Sequence, residues 1–326
     1  MNLLLIGYSD IAQRRVLPAL MRNERISGID VASRSRLSLA SGAFGKLRGL
    51  FSNYDDALRL SDADVVYIST TNETHESLIE QTLHSGRHVI VDKPALIGDA
   101  VADKTERLIQ LAQSRELCLS EATVFAFHPQ IAQMNALLRQ AKTLNPMAKC
   151  EIMATFTFPP FKADNFRLDP LRGGGVIWDL AAYAVTPGRL FLNELPTDAT
   201  CKIVSQDTNA LPETFDLTLI YPSGRMVGRY GFGTEYVNRI EIRHAETALA
   251  ADRIFTTPPD YINAINLRQG MTLTTYSVPP ADSFECFFDD VLGAIGAGDG
   301  QGYERFAHMM HMDAQAVQLL TQSART

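Results

Sequence analysis

The sequence predicts an α/β chain in two parts: an N-terminal doubly wound parallel sheet, then an α+β region built on a large, mostly antiparallel sheet. Three observations predict it. Over residues 1–120, short β-branched runs alternate with amphipathic segments, the rhythm of parallel βαβ units. Beyond about residue 148 the strands lengthen and follow one another across short turns such as Pro222-Ser223-Gly224, as antiparallel strands do. Finally, an apolar strand over 89–91 ends abruptly in Asp92-Lys93-Pro94. That ending puts an ammonium at the carboxyl edge of a sheet, where open α/β sheets bind ligands.

Taken in order, the first part reads as a strand over 3–6, a helix over 11–22, strands over 29–32 and 65–69, a helix over 76–84, the strand over 89–91, a helix over 100–114 and a strand over 117–119. This alternation is that of a Rossmann-type dinucleotide-binding domain, expected over 1–120. Residues 121–326 are expected to form a domain for substrate binding and oligomerisation. Its strands are read over 150–158, 201–204, 215–221, 226–231 and 237–243, with one helix over 175–191. The segments 283–294 and 303–320 are helical by pattern, with Phe306, Met309, Met310, Ala314, Val317 and Leu320 on one face. These last helices are expected to pack back toward the first domain. Phe284, Phe287 and Phe288 recur at helical spacing and read as core.

A chain of 326 residues with 46% hydrophobic and 21% charged residues has ample material for two globular cores. Its net charge of -7 builds no basic stripe able to displace phosphate counterions, so nucleic acid is excluded as a partner and small molecules are favoured. Cys118, Cys150, Cys201 and Cys286 are far apart and form no C-x-x-C pair, which fits buried thiols in a reducing compartment. No membrane partner is expected, because the apolar start Met1-Asn2-Leu3-Leu4-Leu5-Ile6-Gly7 is too short to span a bilayer and no basic segment precedes it; a cytoplasmic location is the expectation. His308 and His311 lack ligand-spaced partners apart from Asp313, and no metal is expected.

After the first strand, Gly7-Tyr8-Ser9-Asp10-Ile11-Ala12 stands where a dinucleotide fold carries G-x-G-x-x-G. Gly7 permits the tight turn; Ser9 keeps a small side chain with a hydroxyl donor, and Ala12 keeps close helix packing. Beside them Asp10 and Ile11 complete the expected pyrophosphate loop. The second strand ends in Ala32-Ser33-Arg34-Ser35-Arg36 rather than in an acid able to bond both ribose hydroxyls. Ser33 and the planar guanidinium of Arg34 suit a 2′-phosphate, which favours NADP(H) as cofactor, with NAD(H) the alternative.

Four segments resemble the glucose-fructose oxidoreductase/inositol dehydrogenase/rhizopine-catabolism family of NAD(P)-dependent oxidoreductases. They are the loop 7–12; Thr70-Thr71-Asn72-Glu73-Thr74-His75; Gly86-Arg87-His88-Val89-Ile90-Val91-Asp92-Lys93-Pro94; and Gly173-Gly174-Gly175-Val176-Ile177-Trp178-Asp179-Leu180-Ala181-Ala182-Tyr183. Their order and spacing extend the resemblance over nearly the whole chain. Within the family, the stretches 9–20 and Asp164-Asn165-Phe166-Arg167-Leu168-Asp169-Pro170 look like nucleotide-sugar 3-ketoreductases. Departures are Thr71 for Pro, Asp92 for Glu, Ser9 and Ala12 for glycines, and Ala181 for Gly.

The resemblance implies hydride transfer to or from a sugar, most simply reduction of a nucleotide-linked keto sugar; a catabolic dehydrogenase of a free sugar or cyclitol and a non-catalytic NADP(H) sensor are the alternatives. It implies Thr70, Asn72, His75, Asp92, Lys93 and Pro94 at the cofactor. Lys93 would donate a proton to the developing alkoxide. Asp179 and Tyr183, four apart on a helix, share a face, with Asp179 on sugar hydroxyls and Tyr183 as an alternative acid. A plainer reading makes Trp178 and Tyr183 core aromatics and Asp179 a local cap. Arg167 would bind substrate hydroxyls or a diphosphate, or be merely solvated. His75 would sit near the nicotinamide, or begin a helix capped by Thr74. Glu121 and His128-Pro129-Gln130 resemble a crossing segment of the family and suggest packing at the cofactor's edge. A bare apolar face on the second sheet would call for a homodimer or homotetramer.

Overall fold

The computed structural model describes residues 1–34, 45–161, 165–206 and 211–325. Ser35, Arg36 and Asp164, named above, lie outside the described residues. The chain divides into two compact units, Met1–Thr123 with Phe284–His311, and Val124–Ser283 with Met312–Thr326.

In the first unit six parallel strands form one sheet: β1 (Asn2–Ile6), β2 (Gly28–Ala32), β3 (Leu47–Phe51), β4 (Val65–Ile68), β5 (His88–Val91) and β6 (Leu119–Glu121), in the order β3-β2-β1-β4-β5-β6. This is the doubly wound arrangement, with its switch point between β1 and β4. Leu3, Leu4, Leu5 and Ile6, like Val65 to Ile68, are wholly buried on both faces, which is why these strands read as unbroken apolar runs. A π-helical turn, Ala12–Val16, leads into α1 (Leu17–Arg22), and the crossings continue through α2 (Tyr54–Leu60), α3 (His75–His84) and α4 (Val101–Ser114). Parallel register pairs Ile6 with Ile68, and Ile68 with Val91. The three strands therefore end level, and Gly7, Ser69 and Asp92 emerge side by side. The helix Ser283–Ala297 contributes Phe287 and Phe288 to this core, fully buried, with Phe288 edge-on to Tyr67 at 5.7 Å.

The second unit contains α5 (Pro129–Leu144), β7 (Cys150–Thr157), α6 (Val176–Leu192), and β8 (Asp198–Gln206) through β9 (Pro212–Tyr221), β10 (Gly224–Gly231), β11 (Val237–His244), β12 (Thr247–Asp252), β13 (Asn263–Gln269) and β14 (Thr272–Val278). Its eight strands run β14-β13-β12-β11-β7-β10-β9-β8, all antiparallel except the β7/β10 pair. Inward positions Ile152, Ala154, Phe156, Phe215, Leu217 and Leu219 are buried beneath α6. A Cβ at Gly188 would stand 1.9 Å from the Tyr221 hydroxyl, so α6 can lie this close to β9 only with glycine there. Arg189 and Thr186 of α6 both donate to Asp313, at 2.9 Å each, in a largely buried pair.

The outward face of this sheet differs from expectation. Instead of bare apolar surface it carries Arg225 with Glu151, Arg229 with Asp216 at 2.7 Å, and Arg243 with Glu241 at 2.7 Å. Arg225–Glu151 and Arg229–Asp216 pair across neighbouring strands and Arg243–Glu241 along one strand, so charges on this face are matched in place. The sequence reading also passed over β3, α2, α5 and β12–β14. β3 is an edge strand interrupted by Arg48 and Gly49, and α2 has seven residues, too few for a helical period to declare itself. No helix among the described residues is long and apolar enough to cross a membrane.

Candidate active site

At the carboxyl edge of the first sheet, Gly7 has φ +92°, and a Cβ there would lie 2.1 Å from the Ser69 carbonyl oxygen. Its N–H donates to Ala32 O at 2.8 Å. Glycine is thus required on both steric and conformational grounds, and the backbone at the switch point stays bare enough for a pyrophosphate to approach. Ser9 behaves differently from the expected phosphate donor. Its Oγ accepts from the Ala12 N–H at 3.1 Å and shares a hydrogen bond with Ser69 Oγ at 2.7 Å, so the hydroxyl that replaces the second glycine ties the loop to β4's end. Asp10 and Ile11 are exposed beside it.

From Ser69 the hydrogen bonds run on. Ser69 Oγ and the Tyr67 hydroxyl donate to the two oxygens of Asp92, so the carboxylate that precedes Lys93 is held from both sides. Burial raises the Asp92 carboxyl above its ordinary range, while Ser69, Tyr67, His75 and Lys93 pull it back down. Burial likewise pushes the Tyr67 phenol well up, reinforced by Asp92. Lys93 is half-buried and joined to Pro94 by a cis peptide. Tyr67 and Ser69 escaped the sequence reading; their signal was a Tyr and a Ser two apart at the end of an otherwise aliphatic strand, and so on one face.

His75 begins α3 and lies inside the fold. The ring is wholly buried, with Nδ1 2.9 Å from Pro94 O and Nε2 3.3 Å from Thr70 O, so it braces the loops after β4 and β5 instead of facing a ligand. Burial lowers its pKa against the pull of those carbonyls and of Asp92 and Glu73. Thr74 donates to Thr71 O and Thr70 Oγ1 rather than capping α3, and Asn72 is buried in the same turn. Glu121 accepts from the Ala95 N–H at 3.1 Å and from Thr123 Oγ1 at 2.9 Å, anchoring the chain just past Pro94. His128 caps α5, its Nδ1 accepting from the Gln130 N–H at 3.2 Å.

Beyond β2, Ser33 is buried and its N–H donates to Phe51 O at 2.9 Å, while the side chain of Arg34 lies over the Tyr54 ring, 4.6 Å from its centroid. Both Arg34 and Tyr54 border a cleft of about 140 Å³ that is also lined by Thr74 and by Ser77, Leu78 and Gln81 of α3. The acid nearest the end of β2, Asp30, is buried and accepts from Ser61 Oγ at 2.6 Å, so it is engaged in the fold. A bare glycine turn at the switch point and a guanidinium at the end of β2 fit a phosphorylated dinucleotide.

In the second unit, the glycine run sets the start of α6. Gly173 and Gly175 have φ +72° and +110°, and Gly175 N donates to Arg167 O at 2.7 Å. The turn brings Arg167 Nε to within 2.9 Å of Asp179 Oδ1. Asp179 is buried at 8% exposure, and Arg167 also lies over the Phe161 ring at 5.5 Å. Arg167 is therefore neither simply solvated nor separate from Asp179. Tyr183, one turn along, is half-buried amid Phe156, Phe125 and Phe255 at ring distances of 4.7, 5.6 and 5.6 Å. This aromatic surround was missed because its members are scattered over 130 residues of sequence. Among the described residues no group of three or more His, Cys, Asp or Glu is placed to hold a metal ion.

A parallel sheet with the strand order of dinucleotide folds, a lysine delivered at its carboxyl edge and an acid–arginine pair under a glycine-rich helix start define an oxidoreductase class. Residues 1–123 match the oxidoreductase family with an NAD-binding Rossmann fold, GFO_IDH_MocA. That is the family which the chain's motifs resemble. It is 29% identical over 300 residues to dTDP-3,4-didehydro-2,6-dideoxy-alpha-D-glucose 3-reductase of Streptomyces antibioticus, covering 91% of this chain and 89% of the relative. It is 25% identical over 307 residues to D-xylose 1-dehydrogenase (NADP(+)) 2 of Haloferax volcanii, covering 92% and 91%. The fold is shared with KijD10, a 3-ketoreductase from Actinomadura kijaniata crystallised with NADP and TDP-benzene, at a TM-score of 0.88, 24% identity and coverage of 99% and 98%.

Proposed function

We propose that the protein is an NADP(H)-dependent 3-ketoreductase acting on a keto sugar carried by a nucleoside diphosphate of the dTDP type. The observation that carries this reading is the similarity to a dTDP-sugar 3-reductase along 91% of the chain. When bound, the coenzyme supplies the hydride. Lys93 donates the proton that the developing alkoxide takes up, and Asp92, fixed by Tyr67 and Ser69, holds the backbone that aims it. In the second unit Asp179 accepts from sugar hydroxyls, Arg167 binds hydroxyls or the diphosphate, and Tyr183 is the alternative acid. Gly7, Ser9, Asp10 and Ile11 form the pyrophosphate loop, with Ser9 acting through its structural hydrogen bonds. The four cysteines, none in a disulfide, suit a cytoplasmic enzyme, and the second sheet is the surface through which we expect homodimers or homotetramers.

The test offers the protein NADPH with dTDP-linked 3-keto sugars, and NADP+ with free aldoses and cyclitols, following coenzyme absorbance. Oxidation of NADPH by the dTDP-linked substrate is the expected result. Turnover restricted to free aldoses would make it a dehydrogenase of the xylose-oxidising kind, and coenzyme binding without turnover in either panel would make it a sensor.

A further inference from the structure

Arg34 projects from the end of β2 as an exposed side chain, and an unrestrained arginine there loses rotamer freedom when it clamps a phosphate. Tyr54 limits that freedom beforehand. Its ring lies against the guanidinium at 4.6 Å, and it is half-buried as the first residue of α2. Its own position is fixed by Asn53, whose side chain accepts from the Asp55 and Asp56 N–H groups at 2.8 and 3.1 Å. Burial raises the Tyr54 phenol, with the Arg34 charge and backbone opposing, so the ring stays neutral and its face available to a cation. The stacked pair forms one rim of the cleft that Ser77, Leu78 and Gln81 also line. Asp55 shares that rim, and its carboxylate repels an anion that arrives out of place. Discrimination at this cleft thus depends on where the guanidinium is held.

We propose that Tyr54 is a specificity-determining positioning residue: stacked on Arg34, it pre-orients the guanidinium for the 2′-phosphate on the coenzyme's adenosine, so that preference for NADP(H) over NAD(H) requires both side chains. This inference rests on the NADP(H) reading above.

Calorimetric titration of the full-length protein with adenosine 2′,5′-bisphosphate and with AMP tests it without recourse to turnover. The unaltered protein prefers the bisphosphate, and Arg34→Ala removes that preference. Tyr54→Leu weakens bisphosphate binding about threefold to fivefold, the span of a partly exposed cation–π contact, and leaves AMP affinity unchanged within about twofold. Tyr54→Phe, which keeps the ring and loses the hydroxyl, restores the preference. AMP binding by each variant certifies its fold; where Tyr54→Leu binds neither ligand, Tyr54→Met takes its place. An unaltered protein without preference overturns the NADP(H) reading and this inference together. A preference intact in the unaltered protein and equally intact in Tyr54→Leu, or an equal loss for both ligands, overturns this inference alone.

Discussion

Around Lys93, the first unit assembles side chains from the ends of β1, β4 and β5 and the start of α3; around Asp179, the second unit uses one helix and the loop that enters it. In the first, Ser9, Ser69, Asp92 and Tyr67 form one continuous run of hydrogen bonds on a sheet buried on both faces. In the second, the Arg167–Asp179 pair lies at the glycine turn and aromatic rings surround Tyr183. A group fixed by several strand ends has its geometry set by sheet register, which no one loop can alter. A group fixed by a single loop can be re-aimed by changing that loop alone. On the function proposed above, coenzyme-facing chemistry would belong to the part of the fold least able to vary, and substrate choice to the part most able.

The sharpest way to break this comparison is to remove the proposed acid. Lys93→Ala should lower kcat by about 10²- to 10⁴-fold, the usual worth of general acid catalysis, with NADPH affinity by fluorescence quenching unchanged. If Tyr183→Phe produces the larger loss and Lys93→Ala a small one, proton transfer belongs to the second unit and the division of labour is reversed.

Next in size is a stability effect confined to the second unit. Asp313 accepts from Arg189 through both of its oxygens and from Thr186, and the paired side chains are 9% and 12% exposed for Arg189 and Asp313. Asp313→Ala leaves a buried guanidinium uncompensated and should cost about 3–5 kcal/mol in denaturant unfolding. A loss under about 1 kcal/mol would mean that α6 is held by apolar packing at Gly188 and Tyr221 alone. Smaller again, Arg167→Ala should raise KM for the sugar nucleotide roughly tenfold, as expected for one charge-assisted hydrogen bond, and leave coenzyme affinity alone. An unchanged KM would show that the arginine only orders the glycine turn.

These contrasts follow what could be read from residues in a row. The Asp92-Lys93-Pro94 ending, the Gly7 turn and the glycine run before Asp179 are local, and backbone rules expose them without a fold. What was illegible is made by register and packing. Tyr67 reaches Asp92 because β4 and β5 lie side by side, and His75 turned out to be a brace because two loops close over it. Arg167 and Asp179 were each visible, twelve residues apart, but not as a pair. The sheet edge was missed for a different reason: in Thr272–Val278 every residue through Thr275 is exposed, so no buried alternation marks it as a strand.

The least effect, and the one that probes both units at once, is on the acid side of neutrality. His88 in the first unit accepts the Cys118 N–H through Nδ1 at 2.9 Å, and His128 in the second accepts from Gln130 in the same way. Burial lowers the pKa of both rings, opposed by Asp64 at His88 and by Asp282 and the Ala281 backbone at His128. A protonated Nδ1 cannot accept, so folding requires the neutral form. Unfolded, each ring has its ordinary value of 6.5; below that pH the unfolded chain binds more protons, and stability falls as pH drops, while above it neither state changes. Each histidine contributes at most about 1.4 kcal/mol per pH unit to that slope. Asparagine offers an oxygen near the position of Nδ1 and does not titrate, so His88→Asn and His128→Asn should each flatten the decline in unfolding free energy between about pH 6.5 and 5. If only His88→Asn flattens it, the first unit alone sets acid lability; if neither does, His75, whose pKa burial also lowers, is the histidine left to carry the decline, and the Asp92 carboxyl cannot, since a raised carboxyl pKa makes stability fall as pH rises.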